Sequence, residues 1–449
     1  MRYPRVPDFR SLLESLALHA ALKAEYGARG IQPVLADAEK ALRAAISRVK
    51  ALPDDPQLRS REPDGLAAIR RLRPRGPRAL WTTFDPAAYR DRLEGALLAR
   101  MAGCTLGAIV EGWGVERMKE WARTIGDPFP PRDYWSRAWA PHDRRYQASE
   151  CRSYTRTGLD GVPVDDDIAY TLLGLLIAED HGLDFTTDDV GKAWLKYLPY
   201  ACTAEDAALR NLKRGIPARR AAERDNPFVQ WIGADIRSDP WAYLAPGLPE
   251  RAAAMAYRDA YLSHRRNGIY GEMYFAAAQA AAFAVDDPVE ALRIGLTEIP
   301  RGCSLAVDVR WALAAGKDIR GYADARAAVE GRFRGMHPVH TNNNACLTIF
   351  GLMIGGTDVT RVISEVVAMG LDNDCTAATA GSIAGAVAGK AGVPAHWHRR
   401  FHDTVRSYLI GRPTFRISGL LDRFARLAAR QFGPNRRAAA GATRRRKAP

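Results

Sequence analysis

Apolar side chains recur every three or four residues along most of the chain, and strictly alternating apolar and polar runs are scarce. Such spacing is typical of amphipathic helices packed on a core. The pattern therefore predicts an all-α fold. Helices are predicted for two leucine- and alanine-rich segments near the start and for a longer series after them: 9–26, 34–52, 88–105, 165–182, 187–198, 203–213, 250–264, 272–284, 288–297, 304–316, 343–354, 358–369, 374–390, 397–409 and 417–431.

Proline and charge divide the first part of the chain from the rest. Pro53-Asp54-Asp55-Pro56 interrupts the helical pattern, and the basic run 70–78 (RRLRPRGPR) is interpreted as a linker because it holds two prolines. We therefore expect a helical extension and linker over residues 1–84 and one large α domain over 85–432. The role of the extension is left open between covering the core, dimerisation and contact with a partner.

One long segment inside the predicted domain lacks helical periodicity. Residues 126–157 are rich in proline, arginine and aromatic residues, as expected of an irregular insertion. Long loops of this kind often carry function, so the segment is a candidate lid or substrate-selecting surface. Trp135, Trp139 and Tyr146 could stack on adenine or could pin the loop to the core.

Two helices carry stripes of small residues at a spacing of four. Glycine in a helix costs roughly 1 kcal/mol relative to alanine, so repeated glycines on one face need a reason such as close helix packing. We predict that the two helices are neighbours and that Glu111 therefore approaches Asp372 and Asp374. The alternative is that each helix packs elsewhere. The stripes are Gly95, Ala99, Gly103 and Gly107, and Ala377, Gly381, Gly385 and Gly389.

Carboxylates cluster where two predicted helices begin. Asp165, Asp166 and Asp167 open one helix, and Asp372 and Asp374 open another about two hundred residues later. A single aspartate would be enough to cap a helix. Several carboxylates at one point repel one another unless they are solvated or bind a cation. The clusters thus predict either one shared metal centre or two solvated helix caps.

Composition and charge narrow the class of protein. The chain has 449 residues, of which 47% are hydrophobic and 26% charged, as in ordinary globular proteins. We expect no transmembrane helix, no signal peptide and a cytoplasmic location, and the six cysteines lack paired metal-ligand spacing. Much of the net charge of +14 lies in a basic tail, residues 433–449, predicted to be disordered. This tail is interpreted as a solubilising segment or as a contact for polyanions such as nucleic acid.

Three segments together resemble the signature motifs of the ADP-ribosylglycohydrolase family. They are GALLARMAGCTLGAIVE at 95–111, DDDIAYTLL at 165–173 and LDNDCTAATAGSIAGA at 371–386. Weaker similarity extends over 231–237, 263–271 and 340–344. The resemblance runs from about residue 85 to 430. It implies a large orthogonal helical bundle with a binuclear magnesium or manganese centre.

The resemblance also implies roles for individual residues. Catalytic roles fall to Glu111, Asp166 and Asp374. Cys375 stands where the family has a metal-binding Thr, and Cys104 replaces a common Asp; a thiol suits magnesium poorly, which leaves Thr376 or water as alternative ligands. The implied metal ligands are Asp165, Asp166, Asp167, Asp372, Asp374 and Cys375. The implied substrate contacts are Gly107, Gly233, Arg237, His264, Gly268 and Tyr270.

The function expected from this resemblance is a hydrolase that cleaves the glycosidic bond between ADP-ribose and a modified target. It would use two Mg2+ or Mn2+ ions. An ADP-ribosylated protein or a ribosyl small molecule would be the partner. The substituted positions Cys104, Asp165 and Cys375 leave another N- or O-ribosyl compound open as substrate. A catalytically inactive module that binds ADP-ribose is the alternative from a different class.

Overall fold

The structure, a computed structural model, describes residues 3–432 and divides the chain into two compact units, Met1–Ser60 and Arg61–Pro449. The predicted basic tail, 433–449, lies outside the described residues. None of the described helices is long and apolar enough to cross a membrane.

The first unit contains two long helices, α1 (Phe9–Glu25) and α2 (Ile31–Lys50), and both confirm predicted segments. Gly27 and Gly30 in the turn between them have positive φ angles, a conformation that glycine adopts without strain. No residue of either helix is buried. The short helix α3 (Pro56–Arg61) follows at the boundary between the units.

The second unit is built almost entirely of helices, which confirms the all-α prediction. Two small antiparallel hairpins are the sheet structure of the described residues: β1 (Arg144–Arg145) with β2 (Ser149–Glu150), and β3 (Thr404–Arg406) with β4 (Thr414–Arg416). The helices are α4 (Leu66–Leu72), α5 (Pro86–Ala108), α6 (Val115–Ile125), α7 (Asp166–His181), α8 (Thr187–Tyr197), α9 (Thr203–Lys213), α10 (Asp239–Tyr243), α11 (Pro249–Ala260), α12 (Asn267–Ala282), α13 (Pro288–Gly295), α14 (Ser304–Ala315), α15 (Tyr322–Arg332), α16 (Thr341–Gly355), α17 (Val359–Met369), α18 (Asn373–Ala388) and α19 (Ile417–Ala429).

Glycines let α5 and α18 touch backbone to backbone, as the two small-residue stripes predict. A Cβ added to Gly95 would lie 2.2 Å from the carbonyl oxygen of Gly385. One added to Gly103 would lie 2.3 Å from the carbonyl oxygen of Ala377. Side chains cannot occupy that space, so the stripes are a requirement of this packing. The contact fixes the start of α18 against the end of α5.

The prediction of a helix over 397–409 is wrong. His402 and Asp403 have φ angles of 46° and 54°, which no α-helix contains. The chain then turns into β3, where Val405 pairs with Phe415 of β4 and both side chains are buried. Apolar spacing in a short segment is compatible with either element, and tertiary pairing decided here for a strand. Five of the described helices lie outside the predicted segments: α3, α4, α6, α10 and α15.

The basic run interpreted as a linker makes specific contacts. Arg73 and Arg78 both pair with Glu298, whose side chain is fully buried, and Arg73 also reaches Glu250 at 2.5 Å. These arginines thus belong to the packed unit that begins at Arg61. The domain boundary between residues 84 and 85 stays a prediction.

Candidate metal centre

Three carboxylates lie at the start of α7. Asp165 is the N-cap, and its Oδ1 accepts a hydrogen bond from the backbone N–H of Asp167 at 3.1 Å. Asp165 and Asp167 are buried. Asp166 is half-buried, and its Oδ1 accepts a hydrogen bond from the Tyr146 hydroxyl at 2.7 Å. The cap explains one of the three carboxylates and leaves the other two in need of a counterion.

The start of α18 is arranged differently. Leu371, just before it, has a φ of 61°, an unfavourable angle for a side chain of this size. Asp372 stands at the N-cap position without a side-chain capping bond, and its buried Oδ1 has no hydrogen-bond partner among the described residues. Its backbone N–H is instead held by Asn344 Oδ1 at 3.3 Å. Asp372 therefore does not serve mainly as a cap.

The two helix starts meet. The Sγ of Cys375 in α18 donates to Oδ2 of Asp167 in α7 at 3.1 Å. Each side also offers three ligand atoms within 4.8 Å of one another, and the residues concerned are Cys104, Asp165 and Asp167, and Asp372, Asp374 and Cys375.

Glu111 and Gly107 complete the approach predicted from the glycine stripes. Gly107, near the end of α5, lies against Asp374, since an added Cβ would be 2.5 Å from the Asp374 Cα. In the turn after α5, the N–H of Gly112 donates to the carbonyl oxygen of Leu371 at 3.0 Å. This bond places Glu111 beside the chain that leads into α18, so the predicted approach is confirmed.

An arginine from the insertion joins the two acidic groups. The Nη2 atom of Arg145 is 3.1 Å from Asp165 Oδ2 and 3.1 Å from Asp374 Oδ2. Its Nη1 atom contacts Glu111 Oε2 at 2.9 Å and the Ala108 carbonyl oxygen at 2.7 Å. Sequence reasoning missed Arg145, because no local pattern marks which arginine of an irregular insertion reaches the centre.

A second arginine reaches the centre from α5. Arg100 is fully buried, and its Nη1 lies 2.7 Å from Asp239 Oδ2. Its Nη2 donates to the Asp167 carbonyl oxygen at 2.8 Å and lies 3.5 Å from the Asp167 carboxylate. Arg100 therefore stabilises the position of Asp167 at the start of α7. Arg100 is the one charged residue in the stretch 95–110, a signal that could have revealed it, since buried arginines are paired.

Crowding and burial shift the acids toward the protonated form. Burial and then Asp165 raise the pKa of Asp166 well above its usual value, and burial and then Glu111 do the same to the pKa of Asp374. Burial raises the pKa of Asp372 to about 7, with Glu111 contributing next. Arg145 opposes the rise in the pKa of Asp166 and of Asp374 only in part. A divalent cation would neutralise the excess charge far more completely.

The side chains present fit such a cation. Carboxylate oxygens are the ligands that Mg2+ and Mn2+ prefer, and the unpartnered Oδ1 of Asp372 points to a missing electrophile or donor. The thiols are less suited to these ions. Burial, followed by the effect of Asp167, raises the pKa of Cys375 well above its usual value, so this side chain acts as a neutral hydrogen-bond donor.

A second charged cluster surrounds Arg237. Its guanidinium is buried and lies 2.5 Å from Asp259, 2.7 Å from Glu205 and 3.4 Å from Glu272. His264 is adjacent, with Nδ1 2.8 Å from Ser263 Oγ. Burial and then Arg237 lower the pKa of His264 well below its usual value. Arg237 is thus saturated by protein carboxylates.

Of the remaining predicted substrate contacts, Gly233 and Gly268 lie beside this second cluster, and Tyr270 bonds elsewhere. Gly233 packs against the Glu205 carboxylate, and Gly268 packs against the His264 ring. The hydroxyl of Tyr270 donates to the carbonyl oxygen of Pro63 at 2.6 Å. In the described part of the chain, none of these residues is bonded to the acidic centre. Their assignment as substrate contacts stays a prediction.

The aromatic residues of the insertion separate into different roles. Trp135 is fully buried and donates to the Leu106 carbonyl oxygen at 3.1 Å, so it pins the insertion to α5. Trp139 is 65% exposed and packs edge to face on Trp121. Tyr146 reaches the acidic centre through Asp166.

Comparison with known proteins agrees with the all-α fold. The sequence model for ADP-ribosylglycohydrolase matches residues 85–434. A solved structure described as an ADP-ribosylglycohydrolase-related protein complex is similar in fold, with a TM-score of 0.51 and 20% sequence identity, over 77% of this chain and 100% of that one. Among curated proteins, none matched. The chain belongs to the ADP-ribosylglycohydrolase family.

Proposed function

We propose that the chain is a metal-dependent hydrolase that cleaves the glycosidic bond between ADP-ribose and a modified target. The observation that carries the proposal is the meeting of two carboxylate groups, Asp165–Asp167 and Asp372–Asp374, at the start of α7 and α18. Structural helix caps do not require so many buried acids. A catalytic cation site does.

Two Mg2+ or Mn2+ ions are the proposed cofactors. Their ligands would be Asp165, Asp166, Asp167, Asp372 and Asp374, with Cys375 or Thr376 at the remaining position. Bound there, the ions would supply Lewis-acid chemistry to ribose hydroxyls and to the attacking water.

The chain's own side chains would accept the proton of the attacking water and stabilise the positive charge that develops on the sugar. Glycoside hydrolysis passes through an oxocarbenium-like state, which a field of carboxylates stabilises. Glu111 is suited to accept the proton of the attacking water because its side chain is 42% exposed at the edge of the centre. Asp166, half-buried and bonded to Tyr146, is the alternative base, as is Asp374.

Release of free ADP-ribose tests the proposal. The substrates are Arg-, Ser- and carboxylate-linked ADP-ribose conjugates, each with and without Mg2+ or Mn2+. Release that requires metal and disappears in Asp374→Ala supports the hydrolase and identifies the linkage. A matched control is Asp287→Ala, which removes the N-cap of α13, where Asp287 accepts from the Val289 N–H, and leaves the centre untouched. This control should retain release.

Two other results would redirect the proposal. Metal binding without release from any conjugate would favour another N- or O-ribosyl substrate, which the substitutions at Cys104 and Cys375 leave open. Binding of ADP-ribose without metal and without release would contradict the hydrolase and favour a binding module.

A further inference from the structure

We propose that Arg145 is a latch that occupies the cation site, so that metal ions and the β1–β2 hairpin compete for the same carboxylates. The inference rests on the metal centre of the proposed function and adds a determinant of its affinity. It concerns one side chain of the insertion and the short hairpin that carries it.

The contacts of Arg145 define the competition. One atom, Nη2, lies 3.1 Å from an oxygen of Asp165 and 3.1 Å from an oxygen of Asp374. Those oxygens belong to two of the carboxylates that would hold the metal ions. A guanidinium and a divalent cation cannot both approach these oxygens, because two positive charges so close repel strongly in a buried site.

The guanidinium is only partly satisfied where it lies. Its Nε is buried and has no hydrogen-bond partner among the described residues, and the side chain is 16% exposed. Arg237 also contacts three carboxylates, but its Nε is bonded and donates to Asp259 at 2.5 Å. Arg145 therefore has less to lose on moving outward, past the exposed Glu111, than a fully bonded arginine would have.

The hairpin is strained at its tip. Tyr146 and Gln147 both have left-handed backbone angles, with φ of 51° and 55°. Such angles are unfavourable for residues other than glycine and persist where other contacts hold them. The holding contacts are the ion pairs of Arg145, the bond from Tyr146 to Asp166, and the bond from Tyr200 to the Tyr146 carbonyl oxygen at 2.8 Å.

The hairpin is also too small to hold itself. Each strand has two residues, and an isolated two-stranded hairpin is at best marginally stable in water. Metal held by Asp165, Asp166 and Asp374 would take two carboxylate partners from Arg145 and the Asp166 bond from Tyr146. The latch then predicts that residues 143–150 loosen as the metal site fills.

Metal affinity tests the latch directly. Mn2+ binding is measured by calorimetry on the chelator-treated full-length chain, as wild type, Arg145→Met and Arg144→Met. Arg144→Met is the matched control, because Arg144 lies on the same strand. Its side chain is 60% exposed, and its ion pair with Glu150 is long at 3.9 Å. The latch predicts that Arg145→Met binds Mn2+ roughly tenfold tighter or more, and that Arg144→Met binds as wild type does. Equal or weaker binding by Arg145→Met would overturn it.

A second measurement needs no variant and holds even if Arg145→Met fails to fold. Backbone hydrogen exchange of residues 143–150 is followed in the wild-type chain with and without saturating Mn2+. Faster exchange with metal supports the latch, and unchanged or slower exchange overturns it. Absence of Mn2+ binding by the wild-type chain would overturn the metal centre and the proposed function together, whereas binding with unchanged exchange overturns the latch alone.

Discussion

Gly107 lies directly against the backbone of Asp374, so that a Cβ on Gly107 would be 2.5 Å from the Asp374 Cα. This contact joins the packing of α5 and α18 to the acidic centre. The end of one helix sets the position of a proposed metal ligand at the start of the other. The glycine stripe is therefore part of how the centre is built.

The variant Gly107→Ala should displace Asp374. The extra methyl meets backbone, which cannot rotate away, and we expect a loss of about 1–3 kcal/mol in unfolding free energy together with weakened Mn2+ binding. Thermal denaturation and calorimetry measure the two effects. Gly331→Ala is the matched control: an added Cβ there meets nothing within 4 Å inside α15, so stability should rise by about 0.5–1 kcal/mol. A stable, metal-binding Gly107→Ala would refute the relationship.

Replacing the thiol at position 375 should change which ions bind. Cys375→Ser keeps a donor to Asp167 but exchanges a soft sulfur for a hard oxygen. We expect tighter binding of Mg2+ and weaker binding of Cd2+, because Cd2+ favours thiol ligands. Calorimetric titrations with both ions give the ratio of the Mg2+ and Cd2+ affinities. The control Cys346→Ser, at a thiol that faces the Asp308 carbonyl oxygen, should leave this ratio unchanged. An unchanged ratio in Cys375→Ser would place Cys375 outside the ligand set.

Arg237 is expected to contribute to the stability of the fold rather than to substrate binding. Arg237→Met leaves three buried carboxylates without their cation, and breaking a buried ion pair typically costs about 3–5 kcal/mol. We expect a large fall in denaturation midpoint in urea. The exposed pair of Arg219 with Asp188 serves as control, since Arg219→Met should change stability by less than about 1 kcal/mol. A fully stable Arg237→Met with weakened ADP-ribose binding would instead favour the predicted substrate contact.

Asp235 predicts a pH dependence of stability. Its side chain is 1% exposed and neither carboxylate oxygen has a partner among the described residues. Burial raises its pKa well above the usual value, and Arg237 opposes this only in part. Because the folded state raises the pKa of Asp235, the contribution of this group to stability is fully present below about pH 4, where Asp235 is protonated in the folded and unfolded states. That contribution to the free energy of unfolding is then lost as the pH rises through the raised value.

The variant Asp235→Asn removes that titration. We expect it to be more stable than wild type at pH 8, with the difference shrinking as the pH is lowered toward 4. Denaturation in urea at a series of pH values measures the difference. A stability gap that is constant across the series would show that Asp235 is not protonated on folding.

The sequence predicted the features that depend on local spacing. The glycine stripes of α5 and α18 and the aspartates at the starts of α7 and α18 each lie within a few residues, where helix geometry fixes which side chains share a face. Arg145 could not be found in this way, since its place depends on the path of an irregular insertion. The strand at Val405 was also missed, because its pairing with Phe415 is a tertiary contact.

Anomalous diffraction from crystals soaked in Mn2+ tests the central claim most directly. The account predicts one or two strong peaks between the start of α7 and the start of α18, within about 2.0–2.6 Å of carboxylate oxygens of Asp165, Asp166, Asp167, Asp372 or Asp374. Peaks that vanish in Asp374→Ala crystals would agree with it. Saturating Mn2+ with no peak at these carboxylates, or with peaks only elsewhere on the molecule, would contradict the account.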